Sequence, residues 1–243
     1  DEKLPDEGED PFEVDVDNEE ETYGATFSGP LIQDKLFFFT SYESWEEEVA
    51  FDYDLATLEN HDVSQEDLSR VLSIMEDVYG VTDSLGAAPE PDSDEKLLVK
   101  LDWNINQDHR LAFIYNFLDA SRDLPANPEA IGRRGPDLTT LQFRNSGYTI
   151  NNKIDSWLVE LNSSFGNNIS NKFQAGYTFF DDSRDPFSAP APAISIQEDG
   201  VRYIVAGHEP FSVHNRLDQH VYQITNNLNL IAGNHTFTFG GSF

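Results

Sequence analysis

Apolar and polar residues alternate strictly along this chain in four pairs of segments. Each pair is joined by a tight turn, and successive pairs are separated by long connections. Alternation dictates a strand with two unlike faces, because successive side chains on an extended backbone point to opposite sides. In the second pair Leu97, Val99, Leu101, Trp103 and Ile105 share one face. Lys100, Asp102 and Asn104 share the other, together with Leu98. Asn106-Gln107-Asp108-His109 reads as the turn, and Leu111, Phe113, Tyr115 and Phe117 line one face of the return strand.

The other pairs follow the same plan. The first runs from Tyr23 to Ile32 and returns from Lys35 to Glu43, apolar on both faces between Leu36 and Phe39. The third runs from Ile154 to Phe165 and returns from Asn171 to Phe180, with Trp157, Val159 and Leu161 and then Phe173 and Tyr177 on the apolar face. The fourth runs from Leu217 to Ile231 and returns from His235, with Tyr222, Ile224, Phe237 and Phe239 on that face. The expectation is eight strands of roughly ten residues, the length a tilted membrane strand needs. Long connections fall at Glu43–Glu95, Asp119–Thr149 and Asp181–Arg216. Short turns at one end and long loops at the other are the plan of an outer-membrane β-barrel.

Composition fits that plan. The hydrophobic fraction is only 38%, yet 18 Phe and 9 Tyr bring aromatics to 12%, which suits a sheet with one greasy face rather than a thick core. Tyr23, Trp103, Phe117, Phe165 and Phe237 lie near strand ends, where interfacial girdles belong. The expected class is therefore all-β: an antiparallel membrane barrel segment of about eight strands, its apolar face (Leu97, Val99, Leu101, Trp103, Phe113, Tyr115, Trp157, Val159, Leu161, Phe173, Tyr177, Tyr222, Ile224, Phe237 and Phe239) turned to lipid. The opposite face, rich in Asn, Thr, Ser and Gln with a few charges, would line a wet lumen. A soluble β-sandwich also alternates, but it does not call for connection lengths that alternate as well. One helix interrupts the pattern near 65–79. Ser64-Gln65-Glu66-Asp67 has the form of a capping box; Leu68, Val71, Leu72, Met75 and Val78 follow at helical spacing, and Gly80 supplies a stop.

The net charge of -30 is local. Residues 1–22 hold 12 acids and one Lys, and residues 43–95 hold 17 acids and one Arg. The first stretch reads as an acidic extracellular loop segment and 23–243 as the barrel. Such acidity excludes a nucleic-acid partner, which needs Lys and Arg to displace counterions. Asp15, Asp17 and Glu19 alternate like the start of a Ca²⁺ loop, but Glu20 stands where that loop needs Gly; they are weak candidates and no metal or other cofactor is expected. With no Cys, thiolate metal sites and thiol nucleophiles are excluded. No Walker A, G-x-S-x-G or H-E-x-x-H pattern occurs; His208-Glu209 is followed by Pro210. The six His read as solvated residues of turns, loops and strand ends. An enzyme is not expected.

The segment Tyr23-Gly24-Ala25-Thr26-Phe27-Ser28-Gly29-Pro30-Leu31-Ile32-Gln33-Asp34-Lys35-Leu36-Phe37-Phe38-Phe39 resembles an early barrel hairpin of TonB-dependent outer-membrane receptors. Leu98–Asn106 with His109-Arg110-Leu111, Asn145–Thr149, Glu160–Asn167, and Asn226–Asn229 with Gly233–Thr236 continue the likeness, which is nearest to the Oar-like subgroup. The resemblance covers nearly all of 22–243. It implies a plugged barrel of about 22 strands in the outer membrane of a Gram-negative bacterium, with lipid and lipopolysaccharide around it. It also implies energised uptake of a nutrient ligand through the inner-membrane protein TonB, which would act on an N-terminal part absent from this chain. The expectation is thus a partial barrel without its plug. Two other readings remain open on the residues: a complete eight-stranded barrel with a structural or adhesive role, and a secreted soluble β-domain that binds ligand.

Overall fold

The computed structural model describes residues 18–49, 64–84, 90–124 and 141–243. Eight long strands form one antiparallel sheet in chain order: β1 (Asn18–Ile32), β2 (Leu36–Val49), β3 (Glu90–Asn104), β4 (His109–Leu124), β6 (Tyr148–Phe165), β7 (Ile169–Pro186), β10 (Arg216–Ala232) and β11 (His235–Ser242). A second sheet joins β5 (Leu141–Gln142), β8 (Ala193–Glu198) and β9 (Val201–Gly207) in the order β5-β9-β8. Between β2 and β3 stands α1 (Gln65–Tyr79). Among the described residues β1 and β11 have no partner strand on their outer edges, so the large sheet is an open wall.

The tight turns are built as their residues require. Asp34, Gly166 and Gly233 take positive φ, a conformation that suits Asp and Gly. At the second turn Asn106 Oδ1 accepts the N–H groups of Asp108 and His109, each at 2.9 Å.

Most wall strands run 14 to 18 residues, longer than the ten expected. The surplus lies at the long-loop end, where β2 continues past Glu43 to Val49 and β3 starts at Glu90 rather than Lys96. There the register pairs Glu46, Glu47 and Glu48 with Ser93, Asp92 and Pro91. These segments are polar on both faces, so apolar alternation stops while backbone pairing goes on. Likewise β1 begins at Asn18, which brings Glu19, Glu20 and Glu21 into the strand. Pro186, expected to open a turn, is the last residue of β7.

The register carries a tilt. From Leu36, beside the first turn, one ladder row runs Leu36–Trp103–Leu111–Leu161–Phe173–Asn226. On β10 the strand continues below Asn226 to Ala232 before it turns. The turns therefore step down by roughly 1.2 residues per strand, which at ~3.3 Å per residue and ~4.8 Å between strands means a strand tilt of roughly 40°. Closed barrels tilt their strands by that amount, and a flat sheet has no need to.

α1 forms as its sequence directs. Asp67 N–H donates to Ser64 Oγ at 3.2 Å, and the Ser64 N–H donates back to Asp67 Oδ2 at 3.0 Å. Gly80 closes the helix with φ 67°, the left-handed cap a side chain would oppose.

Candidate functional site

Two features of the wall and its loops could act on something outside the chain: a banded face, and a small folded body made from the long loops.

The register places every residue of the apolar set on one face. Across β4, β6, β7 and β10 its rows read, from the loop end downward, Asp119–Lys153–Asp181–Asp218, then Phe117–Asp155–Phe179–His220, then Tyr115–Trp157–Tyr177–Tyr222, then Phe113–Val159–Ala175–Ile224. Charge thus gives way to aromatic rings and then to small and aliphatic groups within a few residues. The third row is a continuous ring ladder, with centroids 5.4, 5.5 and 5.0 Å apart. Tyrosine hydroxyls at this boundary reach up to the first polar group. Tyr115 donates to Asp155 at 2.7 Å and Tyr42 to Glu95 at 3.0 Å, while Tyr177 bonds His220 at 2.8 Å. An amphipathic ring with its body in the band and its hydroxyl above it matches a membrane–water interface. Tyr222 and Phe239 are 62% and 58% exposed, so no described residue covers this face at β10 and β11.

The other face was expected to be Asn, Thr, Ser and Gln with a few charges. It carries paired charges: Lys96 with Glu43, Lys100 and Arg110 with Asp102, Lys172 with Glu160, and Arg122 with Asp92. It also carries apolar residues that the alternation did not flag, because they stand at single polar-face positions: Ile114 opposite Leu158, and Leu118, Ile154 and Phe180 in one row. A hollow at the short-turn end of the sheet is lined in part by Lys35, Arg110, Asn162 and Lys172.

The sequence places one helix in the long loops and all eight of its expected strands outside them. Instead each of the three contributes to one cap. α1 lays Leu68 against Leu141, Ile204 and Ala206 of the small sheet and Phe143 just past β5, all buried, with Val71, Leu72 and Ile196 around them. Asp83, just past α1, ties the pieces together. Its Oδ1 accepts the N–H of Asn145 at 2.9 Å and its Oδ2 the N–H of Gly207 at 3.4 Å. Asn145 returns a bond to the Thr82 carbonyl at 2.8 Å, and Arg144 N–H bonds the Ser84 carbonyl at 3.1 Å. The cap joins the wall where the Phe187 N–H meets the Gly147 carbonyl at 3.2 Å, with the Arg144 guanidinium over the Phe187 ring and Arg184 over Tyr148. The signal for β8 and β9 was present in Asp199-Gly200. Both take positive φ, 49° and 84°, and they link Glu198 to Val201 as a two-residue hairpin turn.

His208, expected to be solvated, is 5% exposed, and its Nδ1 lies 3.0 Å from Ser188 Oγ. Its neighbour Glu209 is buried and accepts the Phe211 and Ser212 N–H groups. The motif His208-Glu209 thus shapes a cap turn. Of the weak Ca²⁺ candidates, Asp15 and Asp17 lie outside the described residues and Glu19 stands in β1. No group of three or more metal-ligating side chains gathers among the described residues. No helix among them is long and apolar enough to cross a membrane, which says nothing of crossing by strands.

In fold the chain is similar to the outer membrane transporter YddB from Escherichia coli, with a TM-score of 0.59 at 14% identity over 93% of this chain and 25% of that one. It also matches the ferric-catecholate import receptor Fiu from E. coli K12, with a TM-score of 0.44 at 13% identity over 94% of this chain and 37% of that one. The chain therefore spans well under half the length of either. No curated protein matches it in sequence. The outer membrane beta barrel domain model matches residues 76–243, more than half of the chain. The protein belongs to that family, and its place is the outer membrane of a Gram-negative bacterium.

Proposed function

We propose that this chain is a stretch of barrel wall, with its extracellular cap, from a TonB-dependent receptor of the Oar-like kind that takes up a nutrient ligand. In this reading the apolar set from Leu97 to Phe239 meets outer-membrane lipid, and the charged rows above it meet the lipopolysaccharide headgroups. The cap meets the ligand first. TonB acts through a plug-bearing N-terminal part beyond this chain, and further strands complete the barrel.

The observation that carries the reading is the open, tilted wall. Eight strands pair in chain order with a stagger suited to a closed barrel, yet β1 and β11 keep free edges among the described residues. That openness counts against a complete eight-stranded barrel, in which β1 and β11 would pair. The resemblance of Tyr23–Phe39 to a receptor hairpin adds the family of transporter; its two strands pair in register from Asn18↔Val49 to Pro30↔Phe37. Reading the gene on both sides of this segment tests it. A plug domain upstream and further alternating strands downstream are expected, and their absence overturns the receptor reading.

A further inference from the structure

The small sheet has two edges, and the chain treats them differently. Beyond β9, β5 reaches only Ile204 and Val205, and loop groups take up the backbone around it. The Phe143 N–H donates to the Val205 carbonyl at 2.9 Å, Asp83 Oδ2 accepts the Gly207 N–H at 3.4 Å, and Ser146 Oγ donates to the Gly207 carbonyl at 3.2 Å. β8 forms the other edge. Among the described residues no strand, backbone group or side chain bonds to Ala193 or Ser195 from that side.

Register fixes which groups that edge presents. The His208 N–H donates to the Pro192 carbonyl at 3.3 Å, so Pro192 and His208 form a hydrogen-bonded pair one step beyond Ala193↔Gly207. Opposed residues of an antiparallel ladder alternate between bonded and non-bonded kinds. Ile194↔Ala206 and Ile196↔Ile204 are therefore bonded pairs, and Ala193↔Gly207 and Ser195↔Val205 are not. The bonds that Val205 and Gly207 make on the far side of β9 agree with that phase. The N–H and C=O groups of Ala193 and Ser195 thus point away from β9, along the open edge. The stretch from Ala193 to Ile196 carries neither charge nor Pro, two devices that guard an edge against pairing, and a bulge comes only after Ile196.

We propose that the edge of β8 captures the ligand and that this ligand is a peptide, added in extended form as a fourth strand of the small sheet; the proposal rests on the receptor reading above. A row of outward N–H and C=O groups is matched by another extended backbone, and such main-chain pairing gives affinity across many side chains. Ile194 shares the face of Ile196, which packs toward α1. A peptide residue beside either gains apolar contact, while its neighbours face the other way. Glu198 and Asp199 stand exposed at the end of the strand, and the net charge of -30 draws a basic peptide rather than an acidic one.

The test uses the direction of the backbone groups. The full chain in detergent micelles is titrated with a fluorophore-labelled heptapeptide, alternating Val and Thr between terminal Lys residues, and followed by polarisation. Saturable binding is expected. The same peptide with its internal amides N-methylated should bind about tenfold or more weakly, because its donors are gone and its edge is crowded. Ser195→Pro removes an outward N–H while keeping every bond to β9, and should weaken binding about tenfold or more with the cap as resistant to limited proteolysis as the parent's. Ala193→Pro should do the same and serves where Ser195→Pro unsettles the cap. Ser69→Ala on the exposed face of α1 should leave binding unchanged. The proposal is overturned if the peptide does not bind, if its N-methylated form binds equally, or if both proline variants with intact caps bind as the parent does. It is also overturned if the edge pairs with a second copy, read as a dimer that Ser195→Pro dissociates. Membrane insertion of the same protein is read separately by heat-modifiable gel migration. An inserted chain that binds no peptide overturns the edge site alone, and a peptide-binding chain that never inserts overturns the receptor reading alone.

Discussion

Asp83 and Asn145 lie in different loops, yet the Asn145 N–H donates to Asp83 Oδ1 at 2.9 Å and the Asn145 amide bonds the carbonyl of Thr82, the residue before Asp83. With Gly207 on its other oxygen, Asp83 holds segments from all three long loops. The three loops are therefore tied into one body.

Asp83→Ala should loosen that body. Hydrogen bonds to a carboxylate contribute about 1.5–3 kcal/mol each, and their loss should raise amide exchange in β5, β9 and α1 together. The wall strands β6 and β7, held by their own ladders, should exchange as before. Hydrogen exchange read by mass spectrometry checks this; increased exchange confined to α1 would contradict the shared hub.

The helix cap adds a pH dependence. The hydrogen bonds that Asp67 accepts from Ser64 hold its carboxyl below the usual carboxylate range. A depressed folded value means the stabilisation is present above the ordinary Asp range and is lost as pH falls through the lowered value. Helical amides of α1 should then exchange faster only at the acid end of a titration. Ser64→Ala should cost about 1 kcal/mol of helix stability and weaken that pH dependence, leaving the part carried by the backbone N–H of residue 64, as amide exchange across α1 would report.

Gly207 closes β9 at φ 82°, and a Cβ there would press on the Pro192 carbonyl and the Met75 methyl. Gly207→Ala should therefore cost more than about 1 kcal/mol and free the cap to limited proteolysis, with the wall left intact. A cap as resistant as the parent would show that this backbone conformation is dispensable.

The wall was legible in the sequence because its physics is periodic. Leu97, Val99, Leu101 and Trp103 had to share a face once Lys100, Asp102 and Asn104 shared the other, and the turn at Asn106 fixed the pairing with Phe113 and Tyr115. The helix was legible through Ser64, Asp67 and Gly80, residues whose roles are local. The cap was not. Leu141 and Gln142 make a strand of two residues that only parallel pairing with Ile204 and Val205 defines, and no local pattern announces such a contact. Asp199-Gly200 did announce β8 and β9, but the apolar runs beside it are short and were absorbed into a long loop. The upper ends of β2 and β3 were hidden because Glu46, Glu47, Asp92 and Asp94 remove the contrast between faces that alternation needs.

The banded face sets a sharp contrast between neighbours on one strand. Val159 stands in the aliphatic row and Ser156, three residues earlier, on the opposite face beside Thr178. Val159→Arg should cost about 2–4 kcal/mol if that row lies near the bilayer midplane and lower the yield of inserted protein. Ser156→Arg should insert as the parent does. Equal insertion of the two, measured by protease protection in outer-membrane vesicles, would contradict the assignment of faces.

The most direct measurement is a single-cysteine spin-label scan along β6, from Trp157 through Leu158, Val159 and Glu160 to Leu161, in the bilayer-reconstituted chain. The chain has no native cysteine to interfere. Labels at Trp157, Val159 and Leu161 should be relaxed by oxygen dissolved in lipid. Labels at Leu158 and Glu160 should respond instead to a water-soluble nickel chelate, with a period of two residues. Accessibility without that alternation, or with the odd positions on the aqueous side, would contradict a membrane wall.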